Sequence, residues 1–456
     1  MKSSIKMKQA TIKSAWIQFV KPALDLFYQL LRTKVYFGRS PAGLPPGSVV
    51  FFPIQPNILG CGIAAIVSYK NSRPAESPPS AAQLAELIKP IEVQGCKTCH
   101  QKDLTGLDES YLGGKDLIES LWQRIQAIKG EAHFFAIYTD SKERKLLGSV
   151  GERLSGVVET EAKILADHIG RLPAQKVELM AARLEKLKDI AWCIGCEILE
   201  NLKKIDALLN GSDKKPQPSM ISTFKKINTV LNSIDRLEVR GRDSAGISLL
   251  FVLSPVEFGR FEKTLKQKNL DRQLQERCSQ NTLTNGAISI HRTQKDTVKD
   301  QIAVAMTFKV ANEVGSLGDN IAFLRRQIAK DEILQELAAC PAEFDTVSAH
   351  TRWASVGAIT EANCHPVDNQ TVEGLSQSNG IIHACQYGDI DNYQQLNREI
   401  EDNGELIPKD ITTDTKIIPL VIQKYFRQGH AMAEAFRLAV NDFEGSHAIS
   451  MHTDLD

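Results

Sequence analysis

The chain has 456 residues, 42% of them hydrophobic and 24% charged, with 55 basic and 55 acidic side chains and a net charge of zero. Such a length holds two or three domains with a sizeable core. The charge balance argues against nucleic acid or an anionic membrane as the main partner. Nine cysteines, an odd number in a long chain, do not form the framework of a small secreted disulfide scaffold.

Residues 1–60 read as a leader or propeptide-like segment. Its run "WIQFVKPALDLFYQLL" is interrupted by Lys21, Pro22 and Asp25, so it reads as an amphipathic helix and not as a secretion signal. The apolar run "VVFFPIQPNILGCGIAAIV" contains Pro53 and Pro56 and is not a membrane span. The expectation is a cytoplasmic protein. Residues 61–70 read as a buried strand, followed by a Pro- and Ser-rich surface loop, "KNSRPAESPPSAAQ". From 71 to 235 apolar residues recur at three- and four-residue spacing, which predicts a large helical insertion. From 236 to 456 short β-rich runs ("GISLLFVLS", "QIAVAMTFKVA", "FDTVSAHTRWAS", "GIIHACQYGDI", "HAISMHT") alternate with helical stretches near 257–277, 316–339, 391–403 and 415–443. This predicts a mixed α/β (α+β) domain whose first strand lies before the insertion.

Cys61 heads the first strand between Gly60 and Gly62. A cysteine there is either a small core hydrophobe or a nucleophile. An amide is a poor acylating agent, so covalent catalysis by a thiol helps to cleave it. The thiolate is the reactive form, and a free α-amino group, titrating near neutrality, can serve as its base. A cysteine at a true amino terminus carries both parts, and Cys61 would do so only after cleavage of the Gly60–Cys61 bond.

Four stretches stand beside this cysteine in order: "CGIAAIVSY" at 61–69, "RLEVRGRDSAGISLL" at 236–250, "AHTRWASVGAITEANCHPVDN" at 349–369, and "YGDIDNYQQL" with "ITTDTKIIP" at 387–396 and 411–419. Together they resemble the glutaminase domain of class II (N-terminal-nucleophile, Ntn) glutamine amidotransferases. The branch they resemble most is glutamine–fructose-6-phosphate aminotransferase (isomerizing), or glucosamine-6-phosphate synthase. The resemblance covers 61–69 and roughly 236–456, and leaves 1–60 and the helical insertion unexplained. It implies an Ntn-hydrolase four-layer αββα sandwich and hydrolysis of L-glutamine to glutamate and ammonia. It implies no cofactor, and a place in amino-sugar (UDP-GlcNAc) biosynthesis. It makes Cys61 the nucleophile, Arg352 the partner of the substrate α-carboxylate, Asp414 that of the α-ammonium, and Trp353 a wall of the pocket. A planar guanidinium suits a two-point carboxylate clamp. Ser355 keeps a hydroxyl in the pocket loop, and Arg240 and Asp243 support the loop beside the nucleophile. Where the family usually has Asn-Gly as oxyanion donors, this chain has Tyr387-Gly388, and loss of one such donor costs about 10²–10³ in rate. Where the family usually has His, this chain has Val356.

The family continues into further strands and a sugar isomerase domain. Ending at 456, the chain is expected to be C-terminally incomplete and to supply the glutaminase half only, with fructose 6-phosphate reached through an absent isomerase domain or a partner chain. A homo-oligomer is compatible with this reading. Two pairs, Cys96 with Cys99 and Cys193 with Cys196, match CxxC spacing. They are candidates for a structural zinc site, although their separation is far from finger spacing. The rival functional readings are a non-catalytic glutamine-binding or scaffold module, and a class II amidotransferase serving another acceptor, such as one in the purine pathway.

Overall fold

The computed structural model describes residues 49–50, 61–67, 79–95, 109–209, 216–239, 241–293, 300–311, 316–374 and 380–455. The leader helix, Gly60, Arg240, Cys96 and Cys99 lie outside these residues. The chain divides into two compact units: residues 1–69, 230–324 and 342–456, and residues 70–229 with 325–341. It is a mixed structure of helices and antiparallel sheets.

The first unit is built on two sheets. The larger holds β1 (Val49–Val50), β2 (Gly62–Val67), β3 (Ser244–Leu253), β4 (Ile288–Thr293), β5 (Gln301–Ala311) and β6 (Phe344–Arg352), in the order β1-β2-β6-β3-β5-β4. The smaller holds β7 (Val367–Asp368), β8 (Ile382–Ile390) and β9 (Gly445–Thr453), with β8 central. Every pairing is antiparallel. All ten residues of β3 are buried, consistent with its near-continuous apolar run in the middle of a covered sheet. Helix Pro255–Gln267 packs against β3 and β5, and helix Ile417–Arg427 against β7 and β8. The second helix closes an apolar core around Ile382, Ala384, Ile418 and Val421.

Because side chains alternate along a strand, register settles what lies between the sheets. Ser248 pairs with Ser348 and Thr307, and Gly246 with His350 and Lys309, so these residues share one face of the larger sheet. That face meets the smaller sheet. Ser248 Oγ lies 2.7 Å from His383 Nδ1 and 2.9 Å from His452 Nε2, and Ser348 Oγ lies 3.2 Å from Ser450 Oγ. The layer is apolar at one end, where Leu250, Val252, Ala303, Ala305 and Ile381 cluster, and polar toward the other. Gly246 is required where it stands, because a Cβ there would overlap the carbonyl oxygen of His365.

Four histidines are sealed in this layer: His350 and His365, with ring centroids 4.3 Å apart, and His383 and His452, 5.6 Å apart. Burial, with smaller repulsion from Arg352, pushes His350 down to about 3, and burial pushes His383 down to about 4, against the pull of Asp368. His365 and His452 are also held well below the ordinary value by burial. These rings stay neutral when folded, whereas the unfolded chain takes up protons below about pH 6.5. Stability is therefore expected to fall as pH drops from about 6.5 toward 4, by up to about 1.4 kcal/mol per pH unit for each histidine. Urea-unfolding midpoints at pH 7.5 and 5.5 measure this, and equal midpoints would contradict it.

The second unit is helical. Helix Ser141–His168 packs on helices Ala174–Trp192 and Ala81–Leu87, and starts at Asp140, whose carboxylate accepts from the Lys142 and Glu143 N–H groups at 2.8 and 3.2 Å. Inside, Tyr111 donates to Glu161 at 3.0 Å. The "CIGC" motif lies in a π-helical segment, Cys193–Glu200, between helix Ala174–Trp192 and helix Asn201–Leu208. Cys193 is buried and donates to Glu197 at 3.2 Å, and Glu197 also receives Lys129 at 2.8 Å. Burial, reinforced by Glu197, pushes the Cys193 thiol up to about 12. Cys196 is exposed. Among the described residues no group of three or more metal-binding side chains is assembled, and no helix is long and apolar enough to cross a membrane.

Candidate functional site

Cys61 stands one residue before β2 and is 8% exposed. The backbone N–H of Trp353, just past the end of β6, donates to its Sγ at 3.2 Å. Burial pushes the thiol up to about 11, opposed by the Trp353 N–H and the Arg352 charge and assisted by Asp389.

Arg352 closes β6 and is buried. Its guanidinium donates to the carbonyl of Ala358 at 3.2 Å and to that of Val356, pinning the turn that follows it. Asp243 holds the same turn: its N–H donates to the Arg352 carbonyl at 3.1 Å, and its carboxylate accepts from the Ala354 N–H at 2.7 Å. Trp353 is 43% exposed, and its backbone is what touches the sulfur. Ser355 donates to Asp389.

Asp414 is buried at the start of a short 3₁₀ turn leading into helix Ile417–Arg427. Its carboxylate accepts from the N–H groups of Ile390 at 2.8 Å and Thr415 at 2.9 Å. Burial raises its pKa and Asp389 adds to this, while the two N–H groups and the Arg352 charge pull it down. Asn363 fixes the approach to Asp414, its side-chain oxygen accepting from Thr412 N–H at 2.6 Å and Thr413 N–H at 2.9 Å.

Gly388 has φ of +111° within β8, and a Cβ there would overlap the carbonyl oxygen of Ser446 on β9. Glycine alone enters that conformation at this spacing. Tyr387 precedes it and is half-buried. Four residues before Asp389, Cys385 faces the larger sheet, its sulfur 3.9 Å from Ser348 Oγ. Alternation therefore turns Tyr387 and Asp389 toward that sheet as well.

The first unit thus holds Cys61, Asp243, Arg352, Trp353, Ser355, Tyr387, Gly388 and Asp414. Cys61 and Asp414 both lie in the fields of Arg352 and Asp389. Asp389 and Asn363 escaped the sequence reading. Both lie in stretches singled out there, but nothing in their spacing distinguishes a carboxylate facing a thiol, or a carboxamide bracing a distant loop, from surface polarity.

No protein-family model matches the chain. Several curated proteins do, each over part of its length, and each is named glutamine–fructose-6-phosphate aminotransferase (isomerizing). The protein from Sulfurisphaera tokodaii is 31% identical over 137 residues, 30% of this chain and 22% of that protein. That from Sulfolobus acidocaldarius is 37% identical over 101 residues, 22% of this chain and 15% of that protein. That from Methanothermobacter thermautotrophicus is 32% identical over 120 residues, 26% of this chain and 19% of that protein. The chain spans about a fifth or less of the length of these relatives.

Proposed function

We propose that the first unit is the glutaminase part of a class II glutamine amidotransferase, an Ntn-type αββα sandwich that hydrolyses L-glutamine to glutamate and ammonia. One observation carries the reading: Cys61, at the head of a sheet strand, lies in the field of Arg352, with Asp414 sharing that field. A thiol thus stands near one positive group, whose charge also reaches a buried carboxylate, the two signs that the ends of an amino-acid headgroup require.

In this reading cleavage before Cys61 frees an α-amine that takes the thiol proton. Sγ bonds to the amide carbon, and the oxyanion is met by the Gly388 N–H and the Tyr387 hydroxyl. The C–N bond breaks, with the amine returning the proton to the departing ammonia. Water, deprotonated by the same amine, then hydrolyses the γ-glutamyl thioester. Arg352 receives the α-carboxylate and Asp414 the α-ammonium. The relatives' name supports fructose 6-phosphate as the final acceptor, reached through a sugar-binding domain or partner chain. Mass spectrometry of the purified protein tests the first step. A terminus at Cys61 accompanied by glutamate release is expected; steady release with residues 1–60 attached would sink the N-terminal-nucleophile mechanism.

A second reading, a glutamine-binding module without turnover, is favoured by one observation: the Cys61 sulfur is buried and its thiol is pushed up by that burial, which opposes nucleophilic attack without touching the headgroup partners. Binding of glutamine without glutamate release would select it.

A further inference from the structure

Asn363 is sealed from solvent, and its carboxamide is saturated. The oxygen accepts from the N–H groups of Thr412 at 2.6 Å and Thr413 at 2.9 Å. The nitrogen donates to Thr360 Oγ1 at 2.9 Å and to the Asp410 carbonyl at 3.1 Å. Two donors and two acceptor positions are all that a carboxamide has. Three of the four bonds go to the segment 410–413, which leads straight into Asp414. Aspartate would supply neither donor, and the extra methylene of glutamine would push the segment away.

The same segment meets the turn that Arg352 pins. Thr412 Oγ1 accepts from the Ala358 N–H at 3.2 Å, and the Ala358 carbonyl receives the Arg352 guanidinium at 3.2 Å. The approach is close, since a Cβ on Gly357 would lie 2.9 Å from the Thr412 carbonyl oxygen. A short path of hydrogen bonds therefore runs from Arg352 through Ala358 and Thr412 to Asn363, and the segment it braces ends on Asp414. Both ends keep capacity for a ligand. Arg352 has five N–H donors and spends two on the turn. Asp414 takes two N–H groups, those of Ile390 and Thr415, on a carboxylate with about four acceptor positions.

We propose that Asn363 is a positioning residue that acts through Asp414: it sets the separation between the Asp414 carboxylate and the Arg352 guanidinium. The pocket thereby selects ligands that carry an ammonium and a carboxylate on one carbon. The proposal rests on the glutamine pocket proposed above, but its test reads binding and not turnover.

Calorimetric titration with L-glutamine and with glutaramate, which is glutamine without its α-amino group, measures the selection. The unsubstituted protein is expected to prefer glutamine by about ten- to hundredfold, the worth of hydrogen bonds to a charged group. In Asn363→Ala the preference is expected to fall to about threefold or less, with glutaramate affinity kept within about twofold, because the ammonium partner alone is displaced. A preference that survives in Asn363→Ala would overturn the proposal while leaving the pocket intact. Equal weakening toward both ligands would also overturn it, since general loosening would then explain the loss. No preference in the unsubstituted protein would overturn the headgroup pocket and this proposal together. If Asn363→Ala does not fold, Thr412→Val, which removes an exposed hydroxyl that joins the segment to the turn, is read against the same outcomes.

Discussion

If the proposed mechanism holds, replacing Cys61 with alanine is expected to lower glutamate release from glutamine by on the order of 10³-fold or more, the scale seen when a covalent nucleophile is deleted. The size follows from what remains. Without sulfur there is no thioester, and the proposed donors at Gly388 and Tyr387 would be left to assist direct attack by water, a route worth far less than the full machinery. Cys61 lies in a position that tolerates this exchange. It is buried, the Trp353 N–H is its close polar neighbour, and alanine is smaller. Unfolding free energies of the two proteins are therefore expected to differ by about 1 kcal/mol or less, which separates lost chemistry from lost fold. The measurement is coupled glutamate detection on matched amounts of folded protein. Equal rates in the two would remove Cys61 from the mechanism.

The largest stability effect is expected away from Cys61, at Lys416. Its ammonium is 1% exposed and donates to the Asp368 carboxylate at 2.6 Å, the Asp368 carbonyl at 2.7 Å and Thr371 Oγ1 at 2.8 Å. Asp368 is equally buried, so burial opposes charge on both partners, yet the Lys416 charge holds its carboxyl down at about 2. Lys416→Met leaves that carboxylate sealed without its cation and costs about 3–5 kcal/mol, a fall in Tm on the order of 10 °C. Replacing both partners, as Lys416→Met with Asp368→Leu, recovers much of the loss, because no uncompensated charge remains. Since Asp368 is depressed on folding, its contribution is fully present above about pH 4 and declines as pH falls toward 2. Thermal unfolding of the three proteins at pH 7 measures the effect, and a loss below about 1 kcal/mol in Lys416→Met would contradict it.

The strands rich in apolar and β-branched residues were legible, and β2, β3, β5, β6, β8 and β9 coincide with runs read as strands. β4 was missed because "ISIHRT" mixes polar residues into an edge strand whose interior positions are half-buried or exposed. The helical stretch read near 257–277 holds two helices, parted where Asn269 adopts φ of +58°. The helical stretches read near 316–339 and 415–443 likewise hold two helices each, parted at Asp331 and around Gly429. The π-helical segment Cys193–Glu200 lies inside the stretch 71–235 read as helical, where three- and four-residue apolar spacing does not set it apart.

The polar layer between the sheets had the least visible signature. Ser248, Ser348, His350, Ser450 and His452 alternate with apolar neighbours, and from sequence such a pattern means a solvent-facing edge. Here the facing sheet takes the place of solvent. The candidate site was legible only through ordered motifs spread over more than 350 positions, from Cys61 to Asp414. Periodicity places none of them. What no motif carried was the wiring: the Trp353 N–H on the sulfur, the Arg352 bonds to its own turn, and the reach of Asp389 to Ser355.

The central claim is that Cys61 is the nucleophile of a glutamine pocket. An electrophilic glutamine analogue, with a diazoketone in place of the amide, tests it directly when the adduct is mapped by peptide mass spectrometry. The account predicts a single adduct, on Cys61, whose formation excess glutamine slows. An unmodified Cys61, or labelling only of exposed thiols such as Cys196 and Cys278, would contradict it.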